Sequence, residues 1–290
     1  HEFRRNVKEA NPNAIVLAEH YGDPTEWLKG DQWDTVMNYD AFMEPLTWFL
    51  TGVEKHSDEY RGDLIGNADA FEGAMSHHMS RFEYESLYVA MNELSNHDHS
   101  RFLTRTNHQV GRISSRGADA ANEGVNKNLF RMAVLMQMTW PGAPTIYYGD
   151  EAGLCGWTDP DSRRAYPWGH EDEELIQYHK ELIRIHKEHQ VLRTGSILFL
   201  FGEYQCISYG RFDDNEHIVV AINISQDTRH MEIPVWRLGM TQPTRMARVI
   251  LTDASGFSIE TKVYPVQSGK LILDCPPETA VLVKDIGNLS

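Results

Sequence analysis

Residues 14–19 read AIVLAE, an apolar run closed by a carboxylate, and the fold follows from how often that pattern returns. A continuous apolar run fits a strand of a parallel sheet covered on both faces, with a polar residue at its C-terminal tip. WDTVMNY (33–39) is a second short run ending in polar groups. SLYVAMNELSNHD (86–98) is a third, apolar at its centre and ending in Asn-His-Asp, and PTIYYGDE (144–151) is a fourth, ending in carboxylates.

Helical periodicity fills the gaps. HEFRRNVKEA (1–10) reads as the end of an amphipathic helix, with Phe3 and Val7 on one face and Asn11-Pro12-Asn13 as its stop. FEGAMSHHMSRF (71–82) is helical, NKNLFRMAVLMQMTW (126–140) is a buried helix broken by Pro141-Gly142, and EELIQYHKELIRIHKEH (173–189) is strongly periodic. Strand and helix alternate, with polar residues after each strand. That is the signature of a (β/α) barrel, whose site is built on the C-terminal strand ends. An open doubly wound sheet alternates in the same way. The chain has no G-x-G-x-x-G turn and no P-loop to support a nucleotide-binding version.

After about residue 192 the texture changes. SILFLFG, CISYGRF, HIVVAINIS, HMEIPV, RMARVILTD, KLILDC and TAVLVKDI are short alternating runs separated by Gly, Asn, Asp and Pro. They predict an antiparallel β-sandwich or meander. The expected organisation is α/β plus all-β: the C-terminal half of a barrel over 1–192, then a sandwich over 193–290, with the boundary near Leu192–Gly195.

Composition narrows the partners. The 290 residues are 41% hydrophobic, enough for a real core, and carry a formal net charge of −15. Phosphate contacts need clustered Lys and Arg, so nucleic acid is not an expected partner. The 7 Trp and 12 Tyr supply flat apolar faces of the kind that stack on sugars, although for any single one a core position is the ordinary reading. Cys155, Cys206 and Cys275 are scattered, which argues against a disulfide framework or a zinc site and favours a reducing, cytoplasmic setting. The strongest apolar stretch, MAVLMQMTW (132–140), is too short to span a bilayer, so no membrane partner is expected. The N-terminus has no apolar signal core and begins inside a helical pattern, which suggests that residues once preceded it.

Three strand ends and the loop after the last of them carry the candidate chemistry. Glu19 closes a strand, and apolar walls there would favour its neutral form, as suits a general acid; a strand-end salt bridge or helix cap is the alternative. Asp98 could face a developing positive charge, with His97 donating to a sugar hydroxyl, or it could cap the next helix. Carboxylates on two strand ends that converge in a barrel make a pair, which glycoside hydrolysis requires. Asp159 and Arg163, in GWTDPDSRRAYPW, offer an acceptor and a donor fork for sugar hydroxyls, or brace their own loop. Asp150-Glu151 read as structural carboxylates. His77-His78 lack an i+4 partner, so no metal site is expected.

At this point the motifs resemble a known family. AEHYGDPTEWLKGDQWDTVMNY is similar to the fifth-strand motif and sixth strand of the α-amylase superfamily, glycoside hydrolase family 13. NHDHSRFLT resembles its seventh-strand motif, and PGAPTIYYGDEAGLCGWTDPDSRRAYPW its eighth-strand segment and following loop. The wording is most like the neopullulanase, cyclomaltodextrinase and maltogenic amylase branch, and the β tail resembles the family's domain C. The resemblance implies a retaining hydrolase of α-glucans: Glu19 as acid/base, Asp98 as transition-state-stabilising aspartate, and His97 bonded to sugar hydroxyls. Asp159 and Arg163 match donor-side loop residues, and Trp27, Asn38, Tyr39 and Tyr148 lie near the pocket. AEHYGDP in place of a more usual Glu-Ile-Trp, and His99 where Thr is common, bear on acceptor-side specificity and not on reaction class.

The family's nucleophile ends the fourth strand in a Gly-x-Arg-x-Asp motif, which is not in these 290 residues. By the resemblance it would lie upstream of His1, with the second- and third-strand motifs and any calcium ligands. Hence the expectation that this chain alone has no hydrolase activity, and that it either self-associates through the open half-barrel or is ordered only within an assembly. No cofactor is expected for these residues, with calcium left open for the full-length protein. Alternatives are a transglycosylase on the same glucans and a non-catalytic amylase-like binding protein.

Overall fold

The computed structural model describes residues 1–288. Strands β1 (Leu17–Ala18), β2 (Thr35–Val36), β3 (Met91–Glu93) and β4 (Ala143–Thr145) lie side by side in chain order. Leu17 pairs with Thr35, a single parallel bridge joins Met37 to Met91, and Met91 pairs with Ala143. All the pairings are parallel, so each stave is followed by a crossover. Helices Glu44–Thr51 and Ala68–Met79 follow β2, Phe102–Arg105 and Lys127–Thr139 follow β3, and Glu173–Glu188 follows β4. This is the expected half-barrel.

Its strands are shorter than the apolar runs that predict them. AIVLAE yields a ladder over Leu17–Ala18 only, and PTIYYGDE stops pairing at Thr145. Among the described residues β1 pairs only with β2, and β4 only with β3. An outer stave forms a single ladder, and Pro144 brings no N–H to it. Ile15 and Leu17, read as doubly covered, are 60% and 40% exposed.

The N-terminal helix, Glu2–Ala10, buries no residue fully and is held by charge. Asp34 accepts from Arg4 Nη1 at 2.7 Å, Lys8 Nζ at 2.9 Å and the Val16 N–H at 2.8 Å. Burial pushes the Asp34 carboxyl up, but these donors outweigh it and leave its pKa below the ordinary value.

Helix Lys127–Thr139 is buried from Asn128 to Thr139, which explains its all-round apolar sequence. Asn126 caps it, accepting from the N–H groups of Asn128 and Leu129 at 2.9 and 3.1 Å. Its few polar side chains are all employed. Gln137 donates to the Asn92 and Thr145 carbonyls at 3.1 and 2.9 Å, tying β3 to β4. Arg131 donates to Thr252 Oγ1 and the Asp253 carbonyl, both at 2.7 Å, and so ties the half-barrel to the β region.

After helix Val191–Thr194 the chain becomes β5 (Ser196–Glu203), β6 (Cys206–Phe212), β7 (His217–Asn223), β8 (Arg229–Ile233), β9 (Thr244–Asp253), β10 (Gly256–Ser258), β11 (Val263–Gln267), β12 (Lys270–Cys275) and β13 (Thr279–Asn288). They form one antiparallel sheet in the order β5-β6-β7-β13-β9-β11-β12-β8, with β10 beside β9. The sheet curls over an inner core to which Leu200, Val219, Met231, Met246, Leu273 and Val283 contribute. Its other face presents Ile207, Tyr209, Val220, Ile222 and Leu282 to the barrel helices, in one continuous core with Phe130, Trp140 and Leu182. β10 and β11 had no counterpart in the sequence reading. β11 carries Pro265, opposite Arg245, and Pro ordinarily argues against a paired strand.

Candidate active site

Two stave ends deliver the central residues. Glu19 follows β1 directly, and His97-Asp98 lies just beyond β3. His97 Nε2 is 3.3 Å from Glu19 Oε1 and 3.6 Å from Asp98 Oδ1. The two carboxylates, far apart in sequence, therefore meet across one imidazole. The Glu19 side chain is 40% exposed, so the apolar enclosure expected around it is not formed by this chain. β1 is open on its outer side, and the groups near Glu19 are instead the His97 ring and the Tyr39 hydroxyl, which donates to Glu19 Oε1 at 3.3 Å.

A buried polar layer supports the pair. Asn96 Oδ1 accepts the N–H groups of Asp98 and His99 at 3.0 and 2.9 Å, which shapes the turn that presents His97 and Asp98. Asn96 Nδ2 donates to the Tyr39 hydroxyl at 3.1 Å and to Glu93 Oε1 at 2.6 Å. Tyr39 opens a π-helical turn, Tyr39–Met43, a distortion often found at functional sites. Tyr21 stacks on Tyr39 with centroids 4.7 Å apart, and its hydroxyl lies 3.2 Å from His99 Nε2.

Burial sets the charge states of this layer. It pushes the Glu93 carboxyl up to about 8, with Asn96 opposing and the charges of Glu19 and Asp150 adding. Burial, then the charge of Arg105, pushes His99 down to about 2. Glu93 is thus a neutral acid and His99 a neutral imidazole at pH 7. The Tyr39 phenol is pushed up by burial and then by Glu93, and stays protonated.

The loop after β4 backs onto His97-Asp98. Arg163 Nε is 2.7 Å from Asp159 Oδ1 and donates to the His97 carbonyl at 3.0 Å. Its Nη2 lies 3.7 Å from Asp98 Oδ1. The Asp159 N–H and the Thr158 hydroxyl both donate to the Asp98 carbonyl. Asp159 and Arg163 therefore brace their loop, and Arg163 also faces Asp98. Asp98 makes no helix cap: the next helix, Phe102–Arg105, has no side-chain cap.

The other candidates lie further out. Trp27 stacks with Trp33, centroids 5.0 Å apart, and packs against His20. Asn38 is buried and donates to Asn92 Oδ1 at 2.7 Å. Tyr148 donates to the Arg164 carbonyl at 2.8 Å. Among the described residues none of these three has a hydrogen bond or ion pair with Glu19, His97 or Asp98. Asp150 is a buried partner of Arg101 at 2.9 Å, as its structural reading expected. Glu93, Asn96 and Tyr21 went unread in the sequence; a carboxylate inside the apolar MNEL run was the available signal for Glu93.

One ligand atom from each of Glu19, His97 and Asp98 lies within 4.8 Å of the others. That span could admit a cation, but calcium takes six to eight oxygens and this group offers two carboxylates and an imidazole nitrogen. We assign no metal to it. No described helix is long and apolar enough to cross a membrane.

The geometry can be set beside known proteins. Residues 1–167 match the model of the α-amylase catalytic domain. The chain belongs to the α-amylase family. Among relatives, a Bacillus cyclomaltodextrinase is 35% identical over 226 residues, covering 77% of this chain and 35% of that protein. An amylopullulanase of Thermoanaerobacter thermohydrosulfuricus is 31% identical over 307 residues, covering 98% of this chain and 19% of that protein. The debranching enzyme of Nostoc punctiforme superposes with a TM-score of 0.75 at 27% identity, over 97% of this chain and 54% of that one. This α-amylase-family chain thus spans a fifth to about half of the length of these relatives, and its four staves and β region form part of a glycoside hydrolase family 13 fold.

Proposed function

We propose that this chain is the C-terminal part of a retaining hydrolase acting on α-glucosidic bonds of maltodextrin, cyclodextrin or pullulan. Glu19 is the acid/base, donating a proton to the leaving glycosidic oxygen and then withdrawing one from water. Asp98 stabilises the oxocarbenium-like transition state, and His97 holds sugar hydroxyls. Asp159 and Arg163 shape the donor side, with Trp27, Asn38, Tyr39 and Tyr148 at the periphery of the pocket. The observation that carries this reading is the meeting of Glu19 and Asp98 on His97, at 3.3 and 3.6 Å. The names of the relatives, cyclomaltodextrinase, amylopullulanase and neopullulanase, support the substrate class.

A retaining mechanism needs a second carboxylate as nucleophile for the covalent intermediate. Gly-x-Arg-x-Asp is not in these residues, so we infer that an upstream segment supplies it and that this chain alone does not turn over. The exposed Ile15 and Leu17 would pair with the preceding stave, and without it would promote self-association. Reducing-sugar release from maltodextrin, cyclodextrin and pullulan tests the reading. The polypeptide extended upstream is expected to be active and the 290-residue chain inactive; an inactive extended polypeptide would refute the hydrolase assignment. Sedimentation of the isolated chain as a clean monomer would count against self-association.

A further inference from the structure

Glu93 is 1% exposed and has no salt bridge among the described residues. Arg105, whose charge acts on Glu93, donates instead to the Leu94 carbonyl and Met43 Sδ. An unpaired buried carboxyl is costly where an apolar side chain would be free of penalty. What Glu93 does is accept from Asn96 Nδ2 at 2.6 Å.

That contact fixes the direction of a whole chain of hydrogen bonds. Asn96 turns its carbonyl oxygen to the N–H groups of Asp98 and His99, and its amide to Glu93 and the Tyr39 oxygen. A flipped amide would set N–H against N–H at Asp98 and His99. While it accepts from Asn96, the Tyr39 hydroxyl has Glu19 Oε1 at 3.3 Å and Met37 Sδ at 3.4 Å as acceptors for its one proton, and the carboxylate is the stronger of the two. We propose that Glu93 is a positioning residue that, through Asn96 and Tyr39, holds the Glu19 carboxyl and the His97-Asp98 turn in reacting register. This rests on the acid/base role given to Glu19 above.

The charged groups around Glu93 are Glu19 across Tyr39, Asp150 beyond β4 and Arg105 on the Phe102–Arg105 helix. Burial raises its pKa to about 8, with Glu19 and Asp150 adding and the Asn96 hydrogen bond and Arg105 opposing, so at pH 7 it accepts from Asn96 as a neutral acid. An amide at this position keeps the acceptor, and an aliphatic side chain removes it.

The test is E93L, E93Q and Y39F in the upstream-extended polypeptide, assayed on maltodextrin. E93L is expected to lower kcat by about 100-fold, with KM within about threefold, because misplacement and not binding is at fault. E93Q restores most of the rate below about pH 7 and parts from the parent protein above about pH 8, where only Glu93 gains a charge. Y39F lowers kcat in the same sense as E93L. In the 290-residue chain the Asp98 and His99 amide resonances shift in E93L and return in E93Q, a readout independent of turnover. E93L with the kcat and pH profile of the parent overturns the proposal. If E93L does not fold, E93Q and Y39F decide: parent-like pH profile and kcat in both overturn it. A parent protein inactive on every glucan sinks the hydrolase reading instead, and the amide shifts then decide the role of Glu93.

Discussion

The half-barrel and the β region are built from similar apolar runs but hold them differently. β6 and β7 share a seven-residue ladder, Cys206–Phe212 against Asn223–His217, and both faces are buried. β1 and β2 share two residue pairs, and the outer side of β1 has no partner among the described residues. β8 and β12 lie between, with alternate residues buried on one face only. Stability is concentrated where ladders are long and doubly covered. The proposed chemistry falls where staves are short and end in polar turns, since a carboxylate in the acid/base role must stay in reach of substrate and solvent.

Substitutions in the two regions test that contrast. The largest expected effect is on the chemistry: E19Q in the upstream-extended polypeptide should lower kcat about a thousandfold with little change in melting temperature. A variant within tenfold of the parent would remove Glu19 from its role. Next is the polar layer beneath. Because the Glu93 pKa is raised on folding, from 4.5 to about 8, its contribution to stability is full below about pH 4.5 and lost as pH rises to about 8. E93Q lacks this dependence, so urea melts should show it gaining on the parent protein between those limits, by up to about 5 kcal/mol near pH 8. Parallel curves would place the Glu93 ionisation elsewhere.

The β region should respond through packing. Ile222 in β7 is fully buried, and I222A is expected to cost about 2–5 kcal/mol in equilibrium unfolding. The smallest effect is at the open stave. Leu17 is 40% exposed, and L17A in the 290-residue chain should change stability by less than about 0.5 kcal/mol. The same substitution with the upstream segment present should cost about 2 kcal/mol, because a pairing stave would bury the side chain. Equal costs in the two contexts would argue that nothing covers β1.

Much of this was legible in the residues. The central helix over 126–140 was plain because every position from Asn128 to Thr139 is buried, so periodicity gives way to a continuous apolar run. β6 and β12 match CISYGRF and KLILDC residue for residue. β11 was illegible because its pairing tolerates Pro265, and the lengths of β1 and β4 were misread because ladder length depends on a neighbour the run itself does not encode. Of the site, Glu19, His97 and Asp98 could be singled out as polar tips of apolar runs. Trp27, Asn38 and Tyr148 were reached only through resemblance, and each is occupied with other partners.

Residue order alone carries the alternation of staves and helices, the change to β texture near residue 192, and which strand ends bear carboxylates. Folding is what brings Glu19 and Asp98 to one imidazole, sets Arg163 behind Asp98 as well as against Asp159, and buries Glu93 beneath them with its pKa raised. The reason is physical. Periodicity and residue type are local and fix which face of an element is apolar. Charge state, hydrogen-bond direction and exposure depend on what folds against that face from elsewhere in the chain.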